Sequence, residues 1–233
     1  MASRSIAANC RKVVCIGRNY ADHIKELHNA RPKKPFFFLK PPSSILERGQ
    51  GPVLRPRGVT LHYEVELALI MGRRVQDLRV DDEKGALDAI AGYAVGIDMT
   101  ARDVQDEAKR KSLPWSMAKG FDTFLPLSRY IPKAAVPDPQ DVELWLTVNG
   151  AQRQRDSTGL MLFGIPRVLS EISRVMRLEE GDVVLTGTPK GVGKVEVGDV
   201  MRAGVVVGGR EVEEAGIEVG VEEKGGLYVF EET

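Results

Sequence analysis

The stretch Leu61–Met71, which reads LHYEVELALIM, constrains the fold most because side chains of different character alternate along it. Successive residues of a β-strand point to opposite faces, so the pattern predicts a strand with two distinct faces. One face would carry the larger apolar groups, namely Tyr63, Val65, Leu67, Leu69 and Met71. The other face would carry two acids among other residues, namely His62, Glu64, Glu66, Ala68 and Ile70.

Glu64 and Glu66 would therefore share a face of this strand, with their Cα atoms about 7 Å apart. Two carboxylates this close repel unless a cation lies between them or one of them takes up a proton. Hard oxygen ligands suit Mg²⁺ or Mn²⁺, although two carboxylates need at least a third ligand. The alternative is a solvated strand face, because most acidic residues are simply exposed. The stretch alone leaves both interpretations open.

Length and composition indicate an ordinary globular protein without a nucleic-acid or membrane partner. With 233 residues the chain can bury a full core, and no repeat or Pro/Gly/Ser-rich linker divides it. The 33 basic and 33 acidic residues balance, so the basic footprint of a nucleic-acid binder is missing. No apolar run approaches the roughly 20 residues of a membrane helix. The two cysteines exclude a disulfide framework and place the chain in a reducing, intracellular compartment.

The first twelve residues are rich in Ser and Ala and contain Arg4, Arg11 and Lys12 without an acid. This composition is similar to that of a transit peptide, but a strand that begins at Val13 leaves too little room for one. We therefore predict a disordered arm over residues 1–12 and a single catalytic domain over residues 13–233. Mitochondrion and cytoplasm both remain open as compartments.

Two basic residues have a functional and a purely structural interpretation. His23 and Glu26 lie at positions i and i+3 of a predicted short helix capped by Asn19, so they can form a hydrogen bond. A histidine oriented by a carboxylate is typical of a general base, whereas an exposed ion pair is the structural alternative. Lys119, in the segment WSMAKGFD, either extends its amine to the surface or lies buried opposite an anion.

Other segments predict a mixture of strands and helices. Strands are indicated at Val13–Ile16, Tyr93–Ile97 and Val142–Val148, and the clearest helix is Ile165–Leu178. Thr100 and Asp103 resemble a capping box at the start of another helix. The loop TGTPKGVG lacks a nucleotide-binding motif, although its backbone N–H groups and the Thr188 hydroxyl could contact a carboxylate.

Five motifs occur in a fixed order, namely GRNYADH, HYEVEL, DMTARDVQ, AKGFDTFLP and LTGTPKGVG. Between Val13 and Asp199 the chain resembles the fumarylacetoacetate hydrolase family, and most closely its small acylpyruvase and oxaloacetate decarboxylase branch. The resemblance implies a strand-rich α+β fold, with a mixed β-roll or sandwich and a few flanking helices. It also implies a homodimer.

The family pattern assigns roles to individual positions of this chain. It implies that Mg²⁺ or Mn²⁺ is bound by three carboxylates, which are Glu64, Glu66 and Asp98. It implies three catalytic residues, which are His23, Glu26 and Lys119. The positions that would contact the substrate are Arg18, Tyr20, Arg102, Gln105 and Thr188.

The implied activity is metal-dependent cleavage of the C3–C4 bond of small 2-oxoacids through a metal-bound pyruvate enolate. His23 with Glu26 would activate water for acylpyruvate hydrolysis, whereas oxaloacetate would lose CO₂ without water attack. Lys119 would stabilise the developing negative charge or return a proton to C3. Two alternatives stay open. One is an oxaloacetate tautomerase or dienedioate isomerase, and the other is a metal- or metabolite-binding protein without catalytic activity.

Overall fold

Short strands are the main element of the computed structural model, which describes residues 5–26 and 30–232. The strands are β1 (Val13–Gly17), β2 (Phe36–Lys40), β3 (Ile45–Glu47), β4 (Val53–Arg55), β5 (Leu61–Tyr63), β6 (Val65–Met71), β7 (Ile90–Ile97), β8 (Thr100–Ala101), β9 (Leu125–Leu127), β10 (Ile131–Pro132), β11 (Val142–Val148), β12 (Ala151–Ser157), β13 (Val183–Leu185), β14 (Gly193–Val195), β15 (Val200–Val207), β16 (Arg210–Glu211) and β17 (Ile217–Glu223). The α-helices are α1 (Ile6–Asn9), α2 (Ala21–Glu26), α3 (Glu83–Asp88), α4 (Arg102–Arg110), α5 (Ser116–Lys119) and α6 (Ile165–Val175).

The strands form three sheets. The largest has eight strands in the order β2-β1-β13-β6-β7-β9-β3, with β10 paired to β7. A second sheet has the order β12-β11-β15-β17-β4, with β16 paired to β15, and a small third sheet has the order β14-β5-β8. The predicted strand-rich α+β class with few helices is confirmed.

Strand β6 lies at the centre of the large sheet and is buried on both faces. Leu67 belongs to the main hydrophobic cluster, together with Ile172 of α6 and side chains of the second sheet. Ala68 and Ile70 belong to a separate cluster on the opposite face, together with Ile6 of α1. The prediction that alternate residues of this stretch face different surroundings is confirmed, and both surroundings are apolar along most of β6.

The predicted continuous strand over residues 61–71 is interrupted at Glu64, which belongs to neither β5 nor β6. The interruption arises because β5 pairs with β14 and β8, whereas β6 pairs with β13 and β7. At this transition the carbonyl of Glu64 accepts a hydrogen bond from the backbone N–H of Asp98, with a distance of 2.8 Å. The change of sheet therefore brings two of the predicted metal-binding acids together.

Residues 5–12 do not form the disordered arm that the sequence predicts. The Ser5 hydroxyl caps α1 by accepting from the Ala8 N–H, and it donates to Glu47 at 2.9 Å. Ile6 and Cys10 are buried against the outer face of the large sheet. Burial of these apolar side chains orders the segment, and residues 1–4 of the predicted arm lie outside the described residues.

The predicted capping box of α4 is wrong. Thr100 is part of β8, and the helix begins at Arg102 without a side-chain cap. The Thr100 hydroxyl instead donates to Glu64 at 3.0 Å, and Asp103 accepts from the N–H of Thr60 at 2.6 Å. Hydrogen bonds to residues far away in the sequence thus replace the local capping hydrogen bonds that the sequence suggests.

Within the part of the chain that the structure describes, every helix is too short or too polar to cross a lipid bilayer.

Helix α6 provides a test of the packing between helix and sheet. We expect Ile172→Ala to lower the free energy of unfolding by about 2–5 kcal/mol, because the side chain is fully buried and a cavity would remain. Urea denaturation measures the change. Val175→Ala is the matched control, because Val175 is 70% exposed on the same helix and its truncation should cost less than about 0.5 kcal/mol. Equal losses in both variants would contradict the observed packing.

Candidate active site

Three carboxylates meet where β6 begins and β7 ends. The antiparallel pairing of these strands places Val65 opposite Ile97, so Glu64 and Glu66 lie beside Asp98, the residue after β7. One carboxylate oxygen from each acid lies within 4.8 Å of the others, and all three acids are buried. Sheet register therefore brings together the acids that the sequence predicts as a metal site.

Three cationic side chains surround these carboxylates. Lys119 Nζ donates to Asp98 at 2.6 Å and to Glu64 at 3.1 Å. Lys40 Nζ donates to the other oxygen of Asp98 at 2.6 Å, and the Arg102 guanidinium donates to Glu64 at 2.6 Å. Lys119 is therefore buried opposite anions and does not extend its amine to the surface, which decides between its two sequence interpretations.

The three cations do not neutralise the acids equally. Burial would raise the pKa of Glu64, but Lys119 and Arg102 outweigh it and hold the pKa well below its ordinary value. Burial, reinforced by Asp98 and Glu64, raises the pKa of Glu66 well above its ordinary value. Among the described residues no basic side chain forms an ion pair with Glu66, whose Oε2 accepts from the Gly187 N–H at 2.6 Å. A cation that contacts all three acids would supply the charge that Glu66 lacks.

The donor set fits a divalent cation. Three carboxylates provide hard oxygen ligands of the kind that Mg²⁺ and Mn²⁺ prefer, and they leave about three of roughly six coordination positions for other ligands. Glu66 lies in β6, Glu64 directly precedes β6 and Asp98 directly follows β7, so the two paired strands fix the positions of all three acids. Glu64, Glu66 and Asp98 could therefore hold the cation without rearrangement of the backbone.

A narrow cavity of about 30 Å³ opens onto the carboxylates. Nine of the predicted site residues line it, namely Arg18, His23, Glu64, Glu66, Asp98, Arg102, Gln105, Lys119 and Thr188. Its remaining lining is mainly apolar and aromatic and consists of Ile16, Gly17, Phe38, Lys109 and Trp115. The structure therefore brings most of the predicted residues to one place, whereas Glu26 and Tyr20 do not line the cavity.

His23 and Glu26 form a loose pair at the edge of this cavity. His23 Nδ1 lies 3.6 Å from the nearer Glu26 oxygen, which is longer than a hydrogen bond. Glu26 instead accepts from the Gly191 N–H at 3.1 Å and 3.2 Å. Burial lowers the pKa of His23, so its imidazole is neutral at neutral pH and can accept a proton. Catalytic contacts are often long before a ligand binds, so this geometry is compatible with a general base.

The residues that precede α2 anchor it to the rest of the fold. Asn19, which the sequence predicts as the helix cap, instead donates to the carbonyl of Thr186 at 2.9 Å and accepts from the N–H of Phe163 at 2.9 Å. Tyr20 is buried behind this segment, and burial raises the pKa of its hydroxyl. Arg18 has a φ of 57°, a left-handed conformation that is uncommon for arginine and is often found at functional sites.

Sequence reasoning missed Lys40, although it is fully buried against the site. Its Nζ also donates to the Met99 carbonyl at 3.1 Å. Alternation along β2 contains the relevant signal, because Lys40 has the parity of Phe38, which lines the cavity, whereas Leu39 is 42% exposed. A lysine on the inward face of an apolar strand indicates a buried anion opposite it.

The fold and the site define a class of protein, namely strand-rich enzymes with a buried cluster of three carboxylates that fits a divalent cation. A family model described as fumarylacetoacetate (FAA) hydrolase, C-terminal, matches residues 12–220, and the chain belongs to this family. The match extends beyond Asp199, the end of the resemblance that the sequence motifs carry, and it includes β15 and part of β17.

The chain is similar to curated proteins of known name. It is 58% identical to the mitochondrial oxaloacetate tautomerase oaa1 of Schizosaccharomyces pombe, over 82% of this chain and 87% of that protein. It is 50% identical to the mitochondrial oxaloacetate tautomerase FAHD1 of Bos taurus, over 84% and 87%. It is 48% identical to the mitochondrial oxaloacetate decarboxylase of Dictyostelium discoideum, over 84% and 87%.

Solved structures share the fold. The yeast protein ynq8, described as a member of the fumarylacetoacetate hydrolase family, has a TM-score of 0.88 and 39% identity, and the match covers 97% of this chain and 99% of ynq8. The fumarylpyruvate hydrolase of Pseudomonas aeruginosa, solved in complex with Mn²⁺ and pyruvate, has a TM-score of 0.81 and 33% identity, with 92% and 91% covered.

The carboxylate cluster predicts a specific response to mutation. We expect Glu66→Gln to weaken Mn²⁺ binding by roughly tenfold or more, because an anionic ligand is lost while an amide oxygen can still accept from Gly187. Isothermal titration calorimetry with Mn²⁺ measures the change. Glu218→Gln is the control, because Glu218 lies on the exposed surface of β17 and pairs with Arg202. Unchanged Mn²⁺ affinity in Glu66→Gln would contradict the assignment of Glu66 as a ligand of the cation.

Proposed function

We propose that this chain is a divalent-cation-dependent enzyme that acts on oxaloacetate and related small 2-oxoacids by stabilising negative charge on their C2 oxygen. The observation that carries this proposal is the buried cluster of Glu64, Glu66 and Asp98, which opens into a cavity containing Lys119. The basic side chains that line the cavity, Arg18, Arg102 and Lys119 among them, favour a small anionic ligand.

The cation would be held by Glu64, Glu66 and Asp98, and when bound it supplies Lewis-acid stabilisation of charge on a carbonyl oxygen. The chain's own groups bind and orient the acid. The Thr188 hydroxyl would donate to its C1 carboxylate, and Arg18 lies in the same cavity. These contacts would hold C3 of the substrate near Lys119.

Lys119 is the proposed proton donor. Burial favours its neutral amine, but Asp98 and Glu64 outweigh this effect and raise the pKa of Lys119 above its ordinary value. Its ammonium group therefore keeps its proton until charge develops on the substrate. It would then stabilise that charge or return a proton to C3.

Cleavage of the C3–C4 bond is one outcome of this arrangement. In acylpyruvates, neutral His23 would take a proton from a water molecule as the water attacks the C4 carbonyl, and Glu26 would orient the imidazole. In oxaloacetate, C4 would leave as CO₂, so no attacking water is required. The names of the Dictyostelium decarboxylase and of the Pseudomonas fumarylpyruvate hydrolase support this outcome.

Oxaloacetate tautomerisation is the second candidate. The observation that favours it is the name of the Schizosaccharomyces relative, which is 58% identical to this chain. Interconversion of the keto and enol forms needs proton transfer between C3 and the C2 oxygen, without an activated water. Lys119 and His23 both line the cavity and could exchange this proton.

Further properties follow as parts of the proposal. We infer that Mg²⁺ and Mn²⁺ both support activity, because both accept carboxylate ligands, and the Pseudomonas structure contains Mn²⁺. We also infer a mitochondrial location from the names of the relatives. The family resemblance supports a homodimer in which residues 13–233 of each copy form one catalytic domain.

A side-by-side assay tests the proposed function. Keto–enol interconversion of oxaloacetate is measured together with pyruvate release from oxaloacetate, acetylpyruvate and fumarylpyruvate. We expect EDTA to abolish turnover of every accepted substrate and Mg²⁺ or Mn²⁺ to restore it, because the carboxylates need the cation to stabilise substrate charge. Full activity in metal-free protein, or no turnover of any of these acids, would contradict the proposal.

The role of His23 distinguishes hydrolysis from the reactions that need no attacking water. We expect His23→Ala to lower the rate of acetylpyruvate hydrolysis by about 10²–10⁴-fold, because a general base is lost. Mn²⁺ binding and CO₂ release from oxaloacetate should change much less. Lys25→Ala is the control, because Lys25 lies on the same helix and its side chain is 79% exposed. Hydrolysis at the parental rate in His23→Ala would show that another group is the base.

A further inference from the structure

A buried glutamine occupies an unusual position on the edge of the second sheet. Strand β12 lies at the end of that sheet, and the residues around Gln154 are mostly exposed and polar. Gln154 itself is 1% exposed, although burial of an amide is unfavourable unless its hydrogen bonds are satisfied. Hydrogen bonds to neighbouring groups must therefore offset the burial of the Gln154 amide.

The Gln154 amide links two separate parts of the candidate site. Its Oε1 accepts from the backbone N–H of Val65, the residue between Glu64 and Glu66, at 2.9 Å. Its Nε2 donates to the Thr188 hydroxyl oxygen at 2.8 Å and to the Pro189 carbonyl at 2.9 Å. The amide cannot be reversed, because its oxygen faces an N–H donor and its nitrogen faces a carbonyl acceptor.

This orientation determines where the Thr188 proton can point. A hydroxyl has one proton and two lone pairs, and Thr188 uses one lone pair to accept from Gln154. The hydroxyl proton therefore cannot be directed at Gln154, and it has no acceptor among the described residues. Thr188 is 3% exposed and lines the cavity with Glu66 and Asp98. Its O–H is thus available to an anionic oxygen inside the cavity.

The link to Val65 fixes the hydroxyl relative to the cation site. Strand β13 flanks β6 only from Ala68 onwards, so the N–H of Val65 lies beyond the end of that pairing. Gln154 supplies the acceptor there in place of a neighbouring strand. The same side chain therefore holds the backbone that carries two cation ligands and the hydroxyl that faces the cavity.

We propose that Gln154 is a positioning residue that directs the Thr188 O–H toward the carboxylate of the bound 2-oxoacid and sets its distance from the cation site. Gln154 acts through Thr188 and does not itself line the cavity. This inference rests on the proposed function, because it requires a small acid anion to bind beside Thr188.

Gln154→Glu tests the direction of the hydrogen bond with little change in shape. A glutamate can still accept from Val65, but its second oxygen would face both the Thr188 hydroxyl and the Pro189 carbonyl. That oxygen can only accept, so the Thr188 O–H would turn toward it and away from the ligand. We use oxalate, a stable planar dianion, as the probe in calorimetric titrations of the Mg²⁺-loaded protein. We expect the Kd for oxalate to rise about 10–100-fold, the effect of losing a hydrogen bond to a charged group, while Mg²⁺ affinity changes less than threefold.

A double-mutant cycle with Thr188→Val separates positioning from a general effect of added charge. Thr188→Val should weaken oxalate binding by itself, and Gln154→Glu should then cause little further loss, because its effect passes through the missing hydroxyl. Gln152→Glu is the matched control, because it adds the same charge at an exposed position of β12 and should leave oxalate binding unchanged. If Gln154→Glu does not fold, Gln154→Met, which removes the donor at similar volume, replaces it in the cycle.

The outcomes distinguish the two proposals. Failure of the parental Mg²⁺-loaded protein to bind oxalate would contradict the proposed function and with it the role of Gln154. Parental binding together with losses that add fully in the double variant would overturn the role of Gln154 alone. Coupled losses, with Mg²⁺ affinity retained, would support it.

Discussion

Mutual repulsion among Glu64, Glu66 and Asp98 is the constraint on which the rest of the structure depends. Three buried acids at this distance are unfavourable unless each finds positive charge or hydrogen-bond donors. The basic partners come from β2, from α5 and from the start of α4, so the ion pairs form only when these elements assemble around the large sheet. The ion pairs of the site thus also hold β2, α4 and α5 against the large sheet. A change to one of these charged residues would therefore alter both the site and the packing of this region.

Features encoded by short-range patterns were predictable from the sequence. The alternation along β6 separates its two faces because a strand has a side-chain period of two. The turn at Asn149 and Gly150 has positive φ at both residues, which this dipeptide tolerates best. The interruption at Glu64 was not predictable in this way, because it results from a change of strand partner and no local pattern records it.

Much of the candidate site could be located from ordered motifs, whereas its supporting residues could not. Lys40 contacts an acid 58 positions away, and Gln154 contacts a backbone N–H 89 positions away, so neither spacing corresponds to a helix or hairpin period. The predictions for Asn19 and Thr100 failed for the opposite reason, because a local pattern was present but did not determine the structure. Both match local capping patterns, yet tertiary partners take their side chains, because buried polar groups at a sheet boundary must find acceptors or donors there.

The balance of charge in the cavity would couple the binding of the two proposed ligands, a divalent ion and a small acid. Because three basic side chains already face the three acids, an added divalent ion leaves an excess of positive charge that a dianion would cancel. Thermodynamic linkage requires this preference to be reciprocal, so the acid must tighten the hold on the ion by the same factor by which the ion tightens the hold on the acid. A dicarboxylate would therefore strengthen binding of the ion when free ion is scarce, and depletion of the acid would weaken it by the same factor.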